Sequence, residues 1–428
     1  MKPDSLRLTV AGLWHLGCVT AACSARHVQV TGYDPNPSII DRLRHGEAPI
    51  LEPGLNHLIQ AGLQSGRLRF TSDPAEACRH ANLLWSTWDT PVDNTDQSDI
   101  SSVLDELRPC LARLKQDSLA LISSQLPVGT CRLLEAEFPH LQVACSPENL
   151  RLGHAIEAFE KADRIVVGVR NDQARPLLES LLQPFCRPIL WMRTESAEMV
   201  KHGLNAYLAL SVSYINEIAT LCEATGADAR EVAAGLKSDA RIGPGAYLQP
   251  GGAFAGGTLA RDVVTLSRIG QKFQRPLQVI PAIRESNDRH RNWSWHRLTD
   301  RLGAMEDKRI AILGLTYKPD TNTLRRSTAV ELCQRLLEVE ATVRAFDPVI
   351  QNTNGLLPES VLAPTLEDAL RDADAAVVST EWPQFRQADW PTLIPLMRHP
   401  LFLDANGFLE KNLIHIDGIE HLCVGRSS

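Results

Sequence analysis

The amino-acid sequence predicts an α/β protein in which two parallel-sheet halves are joined by a long central helical domain. Three observations carry that expectation. A strand, glycine turn, helix and second strand near the N-terminus end in an acidic residue. The same pattern partly repeats beyond residue 308, and a proline-free helical stretch lies between the two copies. The length of 428 residues accommodates two or three domains. With 44% hydrophobic and 22% charged residues, the chain can bury a sizeable core.

Residues 6–11 form a β-branched, apolar run closing at Gly12, and small helix-compatible residues follow over 19–25. Residues 28–33 are a second strand pattern that ends at Asp34, 22 residues after Gly12. Gly12 and Gly17 bracket the turn. This is the Rossmann-like spacing for a dinucleotide, with pyrophosphate at the helix N-terminus and a carboxylate on the ribose hydroxyls. Gly12, Trp14, Leu16, Gly17 and Asp34 are therefore cofactor-binding candidates. A carboxylate at position 34 repels a 2′-phosphate and favours NAD over NADP. Trp14 occupies the middle position of G-x-G-x-x-G, where glycine lets backbone reach the phosphates. By itself the turn fits a simple strand-to-helix connection equally well.

Residues 81–87 and 118–124 are buried-strand runs ending in hydroxyl residues. At strand carboxyl ends, Thr87 and Ser124 are expected to face the ligand crevice of an open sheet. Residues 141–145 and 164–168 add two strands, separated by a polar, turn-rich segment that contains Glu148. Residues 197–222 contain no proline and one glycine and are apolar on more than one face. A long helix buried between domains, and a candidate subunit interface, is expected there. Lys201 and Asn205 are neighbours on one face of it, although the spacing alone suits a solvated lysine and a surface asparagine.

Residues 247–262 hold four glycines, with Thr258 and Asp262 at the far end, before a helical zone expected from about 262 to 302. Such a loop is either a plain connector or a place where backbone hugs a ligand. The β pattern restarts near 308. Residues 308–314 echo 6–12, residues 341–348 echo 28–35, and residues 373–382 echo 81–88. Gly314 and Asp347 are 33 residues apart, too far for a dinucleotide fingerprint, so a mononucleotide or nucleotide sugar is expected there. The expected domains are 1–195, 196–303 and 304–428.

Other classes are disfavoured. A formal net charge of −7 with no Lys/Arg run argues against broad nucleic-acid binding. No apolar run reaches membrane-spanning length, and residues 1–5 lack a signal-peptide pattern. Ten cysteines without a C-x-x-C pair or clustered histidines make a metal site improbable. They are expected as reduced, mostly buried thiols of a cytoplasmic protein.

Taken in order, these motifs resemble the UDP-glucose/GDP-mannose dehydrogenase family, the nucleotide-sugar dehydrogenases typified by UDP-glucose 6-dehydrogenase. The resemblance covers nearly the whole chain. It rests on residues 12–17, 33–35, 51–55, 127–130 and 146–148, on Glu198 to Lys201 with Asn205, and on 216–219. It continues through 241–243, 256–262, 314–320, Arg325 and 346–348. It implies an N-terminal NAD domain, a central helical dimerisation domain and a C-terminal UDP-sugar domain, with the active site between the halves. By motif position, Lys201 and Asn205 would sit beside the sugar C6 and a developing oxyanion. Asp262 would position water or transfer a proton, and Glu148 would support hydrolysis. Arg325 would reach the NAD pyrophosphate, Lys318 would contact the nucleotide, and Arg241 would cross from the partner subunit. Leu150, Arg151, Tyr247, Gly251, Phe254 and Gly257 complete the expected substrate contacts. A nucleotide-sugar substrate and a homodimer or higher homo-oligomer are the implied partners.

The sequence departs from the family at its nucleophile. The family loop reads G-G-S-C-F-P-K-D, and its cysteine carries the covalent intermediate. Residues 256–262 here read G-G-T-L-A-R-D, with Thr258 in the cysteine position. A thiol is partly ionised at neutral pH, whereas a threonine hydroxyl needs a dedicated base. Cys145, beside Ser146-Pro147-Glu148, is the one cysteine conceivable near the site, but it fits a core strand-end thiol better. Gln125 replaces a family hydroxyl, and residues 85–91 are unusually aromatic. Three readings follow: oxidation through to the uronic acid without covalent catalysis, a two-electron oxidation that stops at the 6-aldehyde or is transient, and a catalytically silent nucleotide-sugar-binding protein.

Overall fold

Apolar four- and five-residue runs that are buried along nearly their whole length can be satisfied only in a sheet covered on both faces. The chain builds two such sheets. The structure, a computed structural model, describes residues 6–93, 98–148, 150, 152–186, 188–255, 257–319, 321–324 and 326–426. Arg151 and Arg325 lie outside the described residues. The chain divides into two units, Met1–Leu204 and Asn205–Ser428, and the boundary falls inside one helix, Thr194–Thr225.

In the first unit the strands are β1 (Arg7–Ala11), β2 (Gln29–Tyr33), β3 (Leu68–Thr71), β4 (Leu83–Ser86), β5 (Leu119–Ile122), β6 (Gln142–Cys145), β7 (Ile165–Val169) and β8 (Ile189–Met192). Their spatial order is β3-β2-β1-β4-β5-β6-β7-β8. Strand order reverses beside β1, which pairs in parallel with β2 on one side and β4 on the other. That reversal is the switch point at which an open α/β sheet forms its ligand crevice. The expected parallel sheet carries one exception. β7 pairs antiparallel to β6, so β7 and β8 run against the other six strands. β3 and β8 were not expected from sequence.

The second unit contains β9 (Arg309–Leu313), β10 (Thr342–Phe346), β11 (Ala375–Val378), β12 (Leu401–Leu403) and β13 (Glu420–Leu422). These form an all-parallel sheet in the order β10-β9-β11-β12-β13. One core cluster links this sheet to helical residues of the same unit, including Ala219, Cys222, Trp293 and Leu298.

The helical region differs from expectation in two places. The zone from 262 to 302 is three helices, Thr258–Lys272, Val279–His290 and Trp293–Leu302. The first break falls where Gln274 adopts φ +55° and Pro276 follows, because neither residue continues a right-handed hydrogen-bonded helix. The glycine loop also ends earlier than expected. Gly257 caps the helix, and Thr258 is its first residue rather than part of the loop. Among the described residues no helix is long and apolar enough to cross a membrane.

The two sheets use their equivalent aspartates differently. Asp347, which follows β10, accepts on one oxygen from Leu315 N at 2.7 Å, Thr316 N at 3.1 Å and Trp382 Nε1 at 3.1 Å, and on the other from Val349 N at 3.0 Å. It is a buried structural anchor. Losing it strands several buried donors at about 1–3 kcal/mol each. Asp347→Ala should therefore lower unfolding free energy by about 3 kcal/mol or more, seen as a lower urea midpoint at unchanged slope.

Candidate active site

At the switch point, β1 ends in Gly12, whose φ of +96° suits only glycine. A Cβ there would lie 2.7 Å from the backbone nitrogen of Trp88. A Cβ on Gly17 would lie 1.8 Å from the Gly12 carbonyl oxygen, so the helix His15–Ser24 packs against the turn only because this residue is glycine. Asp34, at the end of β2, accepts from Leu13 N at 2.9 Å and Asn36 N at 3.0 Å. These are one bond per oxygen, whereas one oxygen of Asp347 alone takes Leu315 N, Thr316 N and the Trp382 indole. Trp14 is 44% exposed directly before the helix, and Leu16 is half-buried. The two strand-end hydroxyls expected to face the crevice are engaged within the fold. Thr87 is fully buried and donates to the Ala11 and Gly12 carbonyls, at 3.0 and 2.9 Å. Ser124 is paired with Ser86 at 2.9 Å. Both therefore shape the turn and the strand ends.

Two buried glutamates hold the loops of the first unit. Glu52 accepts from Gly153 N at 2.7 Å, Ala155 N at 2.9 Å and His15 Nε2 at 3.0 Å. Burial pushes its carboxyl up, but those donors outweigh burial and hold it below the ordinary carboxylate range. Glu198 accepts from Gly129 N at 2.6 Å and Cys131 N at 2.9 Å, satisfying orphan donors at the start of the helix Thr130–Glu137. One turn further on, Lys201 Nζ donates to the Glu148 carbonyl at 2.5 Å. Lys201 also lines a cavity of about 20 Å³ with Ser123, Ser124, Gln125 and Cys145. That volume admits about one water molecule and no sugar. Cys145 is 6% exposed there, so it is a core strand-end thiol. All ten cysteines are buried and free. Burial pushes the thiols of Cys23, Cys333 and Cys423 up to about 12.

In the second unit, Asn205 donates its amide to the fully buried carboxylate of Asp262. Thr258 lies one turn before Asp262 on the same helix, exposed at the first helical position. The glycine loop is moored at three points. Asn216 accepts from Gly251 N at 3.0 Å, and His290 meets the Gly251 carbonyl at 2.7 Å. Asn287 accepts from Phe254 N at 2.9 Å and donates to its carbonyl at 2.8 Å. Asn406 accepts from Gly252 N at 2.7 Å. Asn216 and His290 also line a cavity of about 480 Å³ with Glu223, Trp293 and Arg297. Arg241 is exposed and paired with Asp239, at 2.7 Å, while Tyr247 is half-exposed and Lys318 exposed. Gly257 is half-buried.

Three domain descriptions of one family match this chain in order. The NAD binding domain of the UDP-glucose/GDP-mannose dehydrogenase family matches residues 6–186, the central domain 195–289 and the UDP binding domain 311–411. UDP-glucose 6-dehydrogenase YwqF of Bacillus subtilis is 31% identical over 433 residues, covering 99% of this chain and 98% of that protein. The chain belongs to the UDP-glucose/GDP-mannose dehydrogenase family. A UDP-glucose 6-dehydrogenase of Pseudomonas aeruginosa is 34% identical over 422 residues, covering 94% of this chain and 93% of that protein. Among solved structures, a UDP-glucose dehydrogenase from Pyrobaculum islandicum matches with a TM-score of 0.87 at 29% identity, covering 100% of this chain and 99% of that one.

The protein is an NAD-dependent nucleotide-sugar dehydrogenase. The residues present fit the cofactor of this dehydrogenase. Gly12 and Gly17 close the turn so that the helix N-terminus is open to a pyrophosphate, and each Asp34 oxygen retains acceptor capacity for ribose hydroxyls. Glu52, Glu198, Asn287, His290 and Asn406 were missed as loop-holding residues. Their partners lie far off in sequence; Glu52, Glu198 and Asn216 fell within motifs, but nothing local gave their hydrogen-bonding roles. Two outcomes are expected of the dehydrogenase. Asp34→Ala should raise the NAD dissociation constant about tenfold, measured calorimetrically, with a smaller loss of stability than Asp347→Ala because it strands fewer donors. Glu52 has a depressed folded value, so its stabilisation is complete above the ordinary carboxylate value and is lost as pH falls through the folded one. The melting-temperature gap between the native chain and Glu52→Gln should be widest above about pH 5 and close in stronger acid.

Proposed function

We propose that this dehydrogenase oxidises the C6 primary alcohol of a UDP-sugar of the UDP-glucose type to the uronic acid without a cysteine nucleophile. The observation that carries the proposal is the helix beginning at Gly257. Thr258 stands exposed at its first position, one turn from a buried Asp262 held by Asn205, while every cysteine is buried. NAD, when bound, supplies the hydride acceptor for both oxidations.

The residues divide the remaining work by their chemistry. In the first oxidation the hydroxyl proton passes to a base as hydride leaves C6, and we assign that role to Lys201, whose amine donates to the Glu148 carbonyl. A cation and an amide donor suit the negative charge that develops on the sugar oxygen, which assigns Lys201 and Asn205 to it. The aldehyde then takes up water. Its gem-diol gives a second hydride and a proton, with Asp262 or Glu148 accepting the proton. The acid forms without a bond to the protein. Thr258 is a poor nucleophile because its hydroxyl ionises far less than a thiol.

The same proposal assigns residues 196–303 to subunit pairing. Tyr207, Tyr214 and Leu221 are 63%, 46% and 61% exposed at seven-residue spacing along one helix. An apolar stripe of that kind is covered in a stable protein, and a second copy is the partner that a symmetric assembly supplies. A cytoplasmic setting accords with ten free cysteines.

Incubation with NAD and a panel of UDP- and GDP-sugars, counting NADH per product, tests the reading. Two NADH per sugar and a uronate product are expected. One NADH with an aldehyde product sinks the four-electron reading, and no NADH with any sugar sinks catalysis altogether. Thr258→Cys should increase flux to the acid by about tenfold or more, because the thiol is already a few per cent ionised at neutral pH. Tyr214→Glu should shift the mass measured by light scattering toward the 47.3 kDa of one chain.

A further inference from the structure

Glu52 is joined to three segments that are distant in sequence. Its side chain is 1% exposed, and each of its oxygens is bonded. One oxygen takes His15 Nε2 and Gly153 N, and the other takes Ala155 N. His15 is the first residue of the helix His15–Ser24, whose N-terminus faces the dinucleotide turn. Ala155 is the first residue of the helix Ala155–Glu160, whose N-cap His154 provides no side-chain cap. A single buried carboxylate thus caps the second helix from a distance of about a hundred residues in sequence and ties it to the first turn of the cofactor helix. The surface around this polar centre is apolar. Trp14 precedes His15, Leu51 precedes Glu52 and Leu152 precedes Gly153, and these three are 44%, 88% and 39% exposed.

We propose that His15 and Glu52 are a latch that passes cofactor occupancy to residues 152–156. The physical route is short. A diphosphate bound at the first turn of the cofactor helix restricts His15 at its base. The ring, held there, keeps the Glu52 carboxylate in register. The carboxylate in turn keeps the Gly153 and Ala155 N–H groups closed and fixes the start of the helix Ala155–Glu160. A segment ordered by the first ligand costs a second ligand less to order, which gives positive coupling without any large movement. His15 and Glu52 are positioning residues in this scheme, acting through the start of that helix. The latch itself needs only NAD.

Amide hydrogen exchange, with NAD as the probe and no sugar present, tests it on the full chain. In the native protein, saturating NAD should slow exchange over residues 152–156 about fivefold or more, within the usual range of coupling between sites, as well as near residues 12–17. In His15→Ala, which leaves the Glu52 cap on Ala155 in place, NAD should still protect residues 12–17 but no longer residues 152–156. His15→Gln, which restores an N–H donor, should recover that response. Glu52→Gln should speed exchange at 152–156 with and without NAD. The latch is overturned if NAD protects 152–156 equally in His15→Ala, or leaves that segment unchanged in the native protein. It is also overturned if His15→Ala no longer binds NAD, since His15 would then be a direct cofactor contact. Failure of the nucleotide-sugar reading registers separately, as absence of turnover with every sugar while NAD-dependent protection persists.

Discussion

The turns at the carboxyl ends of the strands face a recurrent problem, in that backbone N–H groups leave the sheet ladder and are buried without partners. This chain meets it with buried carboxylates. Asp34 takes Leu13 and Asn36, Asp347 takes Leu315, Thr316 and Val349, and Asp404 takes Phe408 and Leu409. Glu52 and Glu198 do the same for two helix starts in the first unit. An anion with two acceptor oxygens satisfies several donors at once, and each bond is stronger than a neutral one. The ligand-bearing loops depend on it, because without these anions they would carry unpaired donors at the cost of the fold.

The two sheets show how one arrangement supports different uses. At both switch points an aspartate follows the second strand and bonds the glycine turn. In the first unit, Asp34 is left with acceptor capacity on both oxygens. In the second unit, the Trp382 indole and the Thr316 backbone crowd onto the oxygen that Leu315 already uses. One oxygen of Asp347 is thereby taken up by the turn, and the other accepts only from Val349 N. The longer spacing from Gly314 to Asp347 therefore goes with a carboxylate committed to structure.

Much of the architecture was legible because strands buried on both faces are uniformly apolar, and six of the eight in the first sheet stood out that way. β3 and β8 did not. Leu68–Thr71 carries Arg69 between its apolar residues, and Ile189–Met192 is half-exposed, so neither shows a core-strand pattern. The helical zone after residue 258 reads as continuous because its apolar periodicity persists across Gln274. Within the candidate site, motif order singled out Gly12, Gly17, Asp34, Lys201, Asn205 and Asp262 as expectations. The loop-holding pairs were not legible, since Glu52 with Ala155, Glu198 with Gly129 and Asn287 with Phe254 are paired only in three dimensions, even though Glu52 and Glu198 lie within quoted motifs. Thr87 and Ser124 lie at strand ends as read, and their hydroxyls also bond within the protein.

Thr258 meets solvent at the first position of its helix, before the helix begins to pack. Leu259 and Val263 carry the hydrophobic contact, and Asn287 and His290 carry the moorings of the preceding loop. Replacement at 258 therefore leaves the thermodynamics of folding nearly untouched. A side chain at that position is free to vary in chemistry while the helix and the loop moorings behind it keep their packing.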